Sequence, residues 1–395
     1  VSDRARTIAV VTVSRSDYGH LRSVLEEIRA ADDLRLVLFA AGTHLAAEFG
    51  LTVREIEADG WPVADRIDLL DRDDSPEGVA ASMGRGLGGF ARVYARHRPD
   101  LVVVLGDRFE MLAAAAAALP FGLPIAHVHG GELSEGAIDN QIRHAITKLA
   151  HLHFVSAEPH AARVRQMGEE AWRVHTTGAP GLDRIRRLEP LSREALAAAL
   201  GLPLDGPWLA VTYHPVTLEY QDTAAHVDEL LAALETTRGA LVFTYPNADT
   251  AGRLIAARLE AFAARTPRAR LAPSLGDRVY LSLLRHADAM VGNSSSGLIE
   301  APSFGLPAVN IGSRQRGRLR GANVIDVGYD RDDIVKGIET ALSPGFREAL
   351  AGLPNPYGDG TAASRIVRVL RQVALDARLI QKGFVDGGEP GGRAR

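Results

Sequence analysis

The stretch Leu101-Val102-Val103-Val104-Leu105-Gly106-Asp107-Arg108-Phe109-Glu110 runs from five consecutive apolar residues through a glycine into charged side chains. Five apolar residues in a row lack the alternation of a half-solvated strand, so they read as a strand buried on both faces. The alanine-rich segment that follows, 111–128, is broken at Pro120 and Pro124. It reads as a buried helix and then another strand, because proline ends a helix. Strand, helix and strand in this order make a parallel βαβ unit.

The same texture recurs outward in both directions. Short apolar runs fall at 8–13, 36–41, 125–129, 153–156 and 172–176, then at 208–213, 240–245, 269–271, 289–292, 308–311 and 324–327. Helical stretches separate them, which predicts an α/β chain of two Rossmann-like, doubly wound domains. The first is expected over 1–182 and the second over 207–360. A linker over 183–206 would end at the turn residues Pro203, Asp205, Gly206 and Pro207. A helix is expected over 361–378 and a flexible Gly-rich tail over 383–395.

Composition narrows the function. The 395 residues are 46% hydrophobic and 24% charged, the profile of a globular chain rather than a disordered one. With 45 basic against 49 acidic residues, bulk charge predicts neither a nucleic-acid nor a membrane partner. Only Lys148, Lys336 and Lys382 are lysines, a bias of composition. The absence of cysteine excludes disulfides, thiolate metal sites and a cysteine nucleophile. No stretch reads as a signal peptide or membrane span, so a cytoplasmic location is expected.

Open parallel sheets bind ligands beyond the carboxyl ends of their strands. Polar residues follow eight of the predicted strands, from both halves, and this points to a site in a cleft between the domains. The motif Gly292-Asn293-Ser294-Ser295-Ser296-Gly297 ends a strand and begins a helix, a natural anion site. Glu300, about one turn on, is placed to hold a ribose diol, and Arg314, Arg316 and Arg318 tilt the reading towards a diphosphate. The acids Asp107, Glu132 and Asp139 form a second constellation suited to moving protons. Asp139 and Arg143 share a helix face, as do Asn140 and His144. His214 closes a strand, where it would be a cation against a diphosphate or a general acid.

Other chemistries fail on spacing. Gly84-Arg85-Gly86-Leu87-Gly88-Gly89 follows no strand and reads as a closely packed helix, not a dinucleotide loop. No P-loop lysine pattern occurs. Ser294 lacks the second glycine of a hydrolase elbow. His127 and His129 alternate along one strand, with His151 and His153 nearby, and read as structural groups rather than metal ligands.

Taken in order, several motifs resemble the UDP-N-acetylglucosamine 2-epimerase family in its hydrolysing branch, over about residues 8–365. They are Ser14-Arg15-Ser16-Asp17-Tyr18, Gly42-Thr43-His44, Gly106-Asp107-Arg108-Phe109-Glu110, His127-Val128-His129-Gly130-Gly131-Glu132 and Ile142-Arg143-His144. His214-Pro215-Val216-Thr217, Pro246-Asn247-Ala248-Asp249, residues 292–300 and Arg314-Gln315-Arg316 complete the set. The resemblance implies a glycosyltransferase-B arrangement with the C-terminal helix crossing back to the first domain. It implies a homodimer or homotetramer of the sialic or legionaminic acid pathway type, needing neither metal nor cofactor.

It further implies a UDP-sugar substrate, UDP-N-acetylglucosamine first and a GDP- or UDP-linked 2,4-diacetamido sugar as the alternative. An acceptor-dependent glycosyltransferase of the same fold is the other enzyme class in view. The family reaction removes the C2 proton, expels UDP to give a 2-acetamidoglycal, then hydrates it to N-acetylmannosamine. Asp107, Glu132, Asp139 and His214 would be catalytic. Arg15, His44, Arg108, His129, Arg143, His144, Asn247, His286, Ser294, Ser295, Ser296, Glu300 and Arg314 would contact substrate. Where relatives often have a second acid after Asp139, this chain has Asn140.

Overall fold

The computed structural model describes residues 4–71, 73, 75–133, 138–246, 252–272 and 275–386, with the side chains of 217 and 218 excepted. Chain contacts divide it into two units, Val1–Arg184 with Gly360–Arg395, and Ile185–Asp359. Each unit is built on a wholly parallel sheet. No described helix is long and apolar enough to cross a membrane.

The first sheet contains β1 (Arg6–Thr12), β2 (Leu34–Ala41), β3 (Val63–Ile67), β4 (Leu101–Leu105), β5 (Ile125–Val128), β6 (Leu152–Val155) and β7 (Val174–Thr176), ordered β3-β2-β1-β4-β5-β6-β7. The register sets Val10 beside Leu38 on one side and Val103 on the other. Every residue of β4, β5 and β6 is buried, as their unbroken apolar runs predict. All twelve expected runs form strands. The unexpected one is β3, whose sequence Val63-Ala64-Asp65-Arg66-Ile67 alternates because it is a sheet edge.

The second sheet contains β8 (Trp208–Thr212), β9 (Ala240–Thr244), β10 (Ala269–Ala272), β11 (Ala289–Gly292), β12 (Ala308–Ile311) and β13 (Val324–Val327), ordered β10-β9-β8-β11-β12-β13. Both sheets are doubly wound. The winding reverses between β1 and β4 in the first and between β8 and β11 in the second.

Residues 185–206 lie within the second unit. The helix Arg193–Leu200 in that segment buries Leu196 and Ala197 in the same core as Leu202 and Trp208. Its apolar face, read as part of a linker, needs that cover.

The C-terminal helix Ala362–Gln372 belongs to the first unit, where Ala363, Ile366, Val367 and Leu370 join the core. Asp183 receives the N–H groups of Ala362 and Ala363 at 2.9 and 2.7 Å, satisfying the donors that open the helix. Beyond it, the fully buried Arg173 donates to the carbonyls of Leu379 and Arg378, each at 2.8 Å. Lys382 reaches the buried Glu169 at 2.9 Å, where Lys148 (2.6 Å) and His153 (3.0 Å) also converge. Burial alone would raise the Glu169 carboxyl, but these donors hold it down at about 2.

The helix Pro76–His97 contains the glycine cluster. A Cβ at Gly89 would lie 2.5 Å from Ile67 Cγ2, and one at Gly86 would lie 3.0 Å from Ala113 Cβ. Gly86 and Gly89 therefore serve close packing, as the spacing argument expected, while Gly84 faces open space.

Candidate active site

In a doubly wound sheet, the crevice for a ligand opens where the winding reverses. In the first unit the residues after β1 and β4 meet this condition. Ser14 caps the helix Arg15–Ala30, its hydroxyl accepting the Asp17 N–H at 3.4 Å. Arg108 stands at the N-cap of the helix Phe109–Ala118 and grips the fully buried Glu110, Nη2 to Oε1 at 3.0 Å and Nε to Oε2 at 3.3 Å. Gly42 makes room for that carboxylate. Its φ is +59°, and a Cβ would lie 3.0 Å from Glu110 Oε1 and 2.9 Å from the Val13 carbonyl.

Asp107 is ion-paired with the buried Arg143 on the helix Ile138–Leu149. Asp139 lies one turn earlier on that helix. Burial raises its carboxyl most and Asp107 raises it further, against the pull of Arg108 and Arg143. Asp107 and Arg108 after β4 and Asp139 and Arg143 on one helix face therefore form a single electrostatic cluster.

Glu132 joins the cluster through the turn after β5. His129, expected to share a face with His127, has φ +62°, and the strand ends at Val128, so its ring leaves the strand's alternation. Its Nδ1 lies 2.6 Å from Glu132 Oε1. The Ser156 hydroxyl donates to the same oxygen at 2.7 Å and lies 2.9 Å from His160 Nδ1. Burial would push Glu132 up, but His129, Arg143 and His160 hold it well below the usual carboxylate range. Two acids of one unit are thus displaced in opposite directions, Glu132 down and Asp139 up. His144 sits on the same helix as Asp139, its Nδ1 buried without a hydrogen-bond partner, and burial keeps the ring's pKa low.

Some expected residues lie elsewhere or behave differently. His44 is fully buried, with Nε2 2.9 Å from Thr12 Oγ1 and Nδ1 2.8 Å from Thr52 Oγ1. Both ring nitrogens are engaged, so it braces the β1 and β2 ends rather than presenting itself to substrate. His127 is likewise held by the Gly106 carbonyl at 2.7 Å. Arg15 is an exposed residue paired with Glu55 at 3.1 Å. His286 ends the helix that leads into β11, so it precedes that strand whereas Ser294 follows its carboxyl end. There its Nε2 is 2.8 Å from the Leu191 carbonyl, and the substrate role expected of it is corrected to an anchor for residue 191. Asn247 lies outside the described residues.

In the second unit the reversal point is pinned by Asn293. It accepts the His214 N–H at 2.7 Å and donates to the His214 carbonyl at 2.9 Å, tying the end of β8 to the end of β11. Gly292, with φ +132°, permits the approach, since a Cβ would lie 1.9 Å from the Thr212 carbonyl. Gln315 and Arg314 donate to the Asn293 carbonyl at 2.8 and 3.2 Å, bringing the guanidinium to the serine turn. Ser294 Oγ accepts the Ser296 N–H at 3.3 Å, and Tyr280 donates to Ser296 Oγ at 2.7 Å. Ser295 stands at the N-cap position of the short helix Ser296–Ile299 without a side-chain capping bond, and the buried Glu300 follows it. Burial first, and Arg314 second, push His214 down to about 3. The protein's own groups thus favour the neutral ring.

Sequence reasoning passed over Ser156 and His160 as partners of Glu132, and Glu110 as the anchor of Arg108. Ser156 directly follows β6, so the strand-end rule could have found it.

The UDP-N-acetylglucosamine 2-epimerase family profile matches residues 26–371. The chain is 39% identical over 384 residues to a Campylobacter jejuni GDP/UDP-N,N'-diacetylbacillosamine 2-epimerase (hydrolyzing), covering 96% of this chain and 99% of that protein. It is 37% identical over 378 residues to the Legionella pneumophila UDP-N,N'-diacetylbacillosamine 2-epimerase (hydrolyzing), covering 95% and 98%. The solved UDP-GlcNAc 2-epimerase of Neisseria meningitidis, bound to UDP-GlcNAc, has the same fold, with a TM-score of 0.80 at 17% identity over 92% of this chain and 99% of that one.

Proposed function

Because the chain belongs to the UDP-N-acetylglucosamine 2-epimerase family, we propose that it hydrolyses a nucleotide-linked 2-acetamido sugar while inverting C2. Within that class, the two diacetylbacillosamine relatives favour a UDP-linked 2,4-diacetamido sugar over UDP-GlcNAc. UDP-GlcNAc is the second substrate to test, since it is the ligand of the Neisseria fold relative.

The chemistry sets clear demands. The C2 hydrogen is weakly acidic, so the C1–O bond to the diphosphate breaks ahead of proton removal and the ring gains positive character. Carboxylates steady that charge, and cations receive the leaving diphosphate. The electron pair of the C2–H bond becomes the C1–C2 double bond of a glycal, and UDP leaves with the C1–O pair. Water then adds at C1, and a proton returns to C2 on the opposite face.

The observation that carries this reading is the opposed displacement of two acids in one cluster. Glu132, held ionised by His129, Arg143 and His160, suits proton acceptance. Asp139, raised by burial and Asp107, suits holding and returning a proton. Asp107 with Arg143 fixes the charge between them. In the first unit Arg108 is a cation suited to a phosphate, and in the second Arg314 with the 294–296 turn offers a phosphate seat and Glu300 a ribose contact. His214 serves as a neutral hydrogen-bonding group.

The test is incubation of the protein with UDP-N,N'-diacetylbacillosamine, and separately with UDP-GlcNAc, in D₂O under proton NMR. Release of UDP with a free C2-epimeric sugar deuterated at C2 is expected, faster for the diacetamido substrate. Release of UDP without C2 exchange would refute the elimination. Turnover only in the presence of an acceptor would make the chain a transferase.

A further inference from the structure

Asp17 has no part in the roles assigned above, yet its position is unusual. It lies in the first turn of the Arg15–Ala30 helix, at the reversal point between β1 and β4, and is 5% exposed. Its Oδ2 is buried and has no hydrogen-bond partner. A buried carboxylate normally gathers donors. A capping role would also aim it at the helix N–H groups, but Ser14 already caps this helix and takes the N–H of Asp17 itself.

The charged groups facing Asp17 are Arg108, Asp107 and Glu110, all from the turn and helix after β4. Arg108 is already engaged by both oxygens of Glu110. The hydroxyl of the N-cap Ser14 also bears on it. Asp17 is therefore a third carboxyl beside one shared guanidinium, and a second anion brought to the same crevice makes its ionised form costlier still.

Resting on the function proposed above, we propose that Asp17 is a phosphate-contacting residue that takes up a proton when the nucleoside diphosphate binds and donates it, as a hydrogen bond from Oδ2, to a phosphate oxygen. No covalent bond changes. The proton comes from solvent, and it spares the site a carboxylate facing a phosphate. Burial, opposed by Arg108 and Ser14 and aided by Glu110 and Asp107, already brings the Asp17 carboxyl to about 6. At pH 7 that group is mostly ionised, so binding would draw in most of one proton.

Isothermal titration with UDP at pH 7, in two buffers of different ionisation enthalpy, reads that proton directly. The expected result is uptake in the wild type that is lost in Asp17→Asn, whose affinity stays within about threefold because the amide is a neutral donor. Asp17→Ala should bind UDP at least tenfold more weakly. Asp17→Ser, smaller and uncharged, is a second variant and should likewise lose the uptake. Uptake unchanged in the asparagine or serine variant, or an asparagine variant as weak as the alanine one, overturns the proposal while leaving the function standing. Wild-type protein that binds neither UDP nor GDP overturns the function, and the proposal with it.

Discussion

Glu132 and Asp139 are both carboxyls of one unit, and their neighbours displace them in opposite directions. The pull on Glu132 comes chiefly from His129, which can be removed separately. Glu132→Gln should lower kcat by about 10²–10⁴, the range of a lost general base, with UDP affinity unchanged by titration. His129→Asn should let the Glu132 carboxyl rise. Because the proposed role needs that group ionised, the acid limb of kcat/KM should move to higher pH, and an unmoved limb would detach His129 from it. Asp107 and Glu132 were legible as polar residues after buried strands and Asp139 with Arg143 as one face of a helix, and the structure brings these charges together. The state of His214 and the fate of His44 were not. Each depends on how deeply the ring is buried and on which hydroxyls or guanidinium surround it, and these neighbours are distant in sequence.

At the scale of elements, the helix Pro76–His97 offers opposite outcomes within one motif. Gly84 has open space where a Cβ would stand, so Gly84→Ala should stabilise the fold by about 0.5–1 kcal/mol through the unfolded chain. Gly89→Ala would drive a methyl into Ile67 and should cost about 1–3 kcal/mol. Chemical denaturation of both variants checks the pair, and equal shifts would contradict the packing described. Strands flanked by helices were readable from apolar runs because parallel strands are covered on both faces. The edge strand β3 escaped because Asp65 and Arg66 interrupt it. Those same charges serve the fold, with Asp65 bound by Arg96 at 2.8 Å and His97 at 2.5 Å.

Across the whole molecule, buried histidines set the response to acid. Burial, the largest cause in each, lowers His44 and His151 to about 4 and His127 to about 3. Their ordinary value is 6.5, so below it the unfolded chain binds protons that the folded chain refuses. Stability should therefore fall as pH drops from about 6.5 to about 4. Glu169, depressed to about 2, keeps its contribution until far lower pH. Thermal melts from pH 8 to 4 should show a plateau and then a decline beginning near 6.5. A midpoint constant to pH 4.5 would refute it.

The closing segment of the first unit has a consequence for synthesis. The ribosome delivers all seven strands of the first sheet, then the entire Ile185–Asp359 unit, and only then the Ala362–Gln372 helix with Lys382. Until that moment the first core lacks Ile366 and Leu370, and Arg173 faces carbonyls that do not yet exist. The half of the molecule that is begun first is finished last. A chain stopped short of residue 360 would hold a complete second unit joined to an unsealed first one.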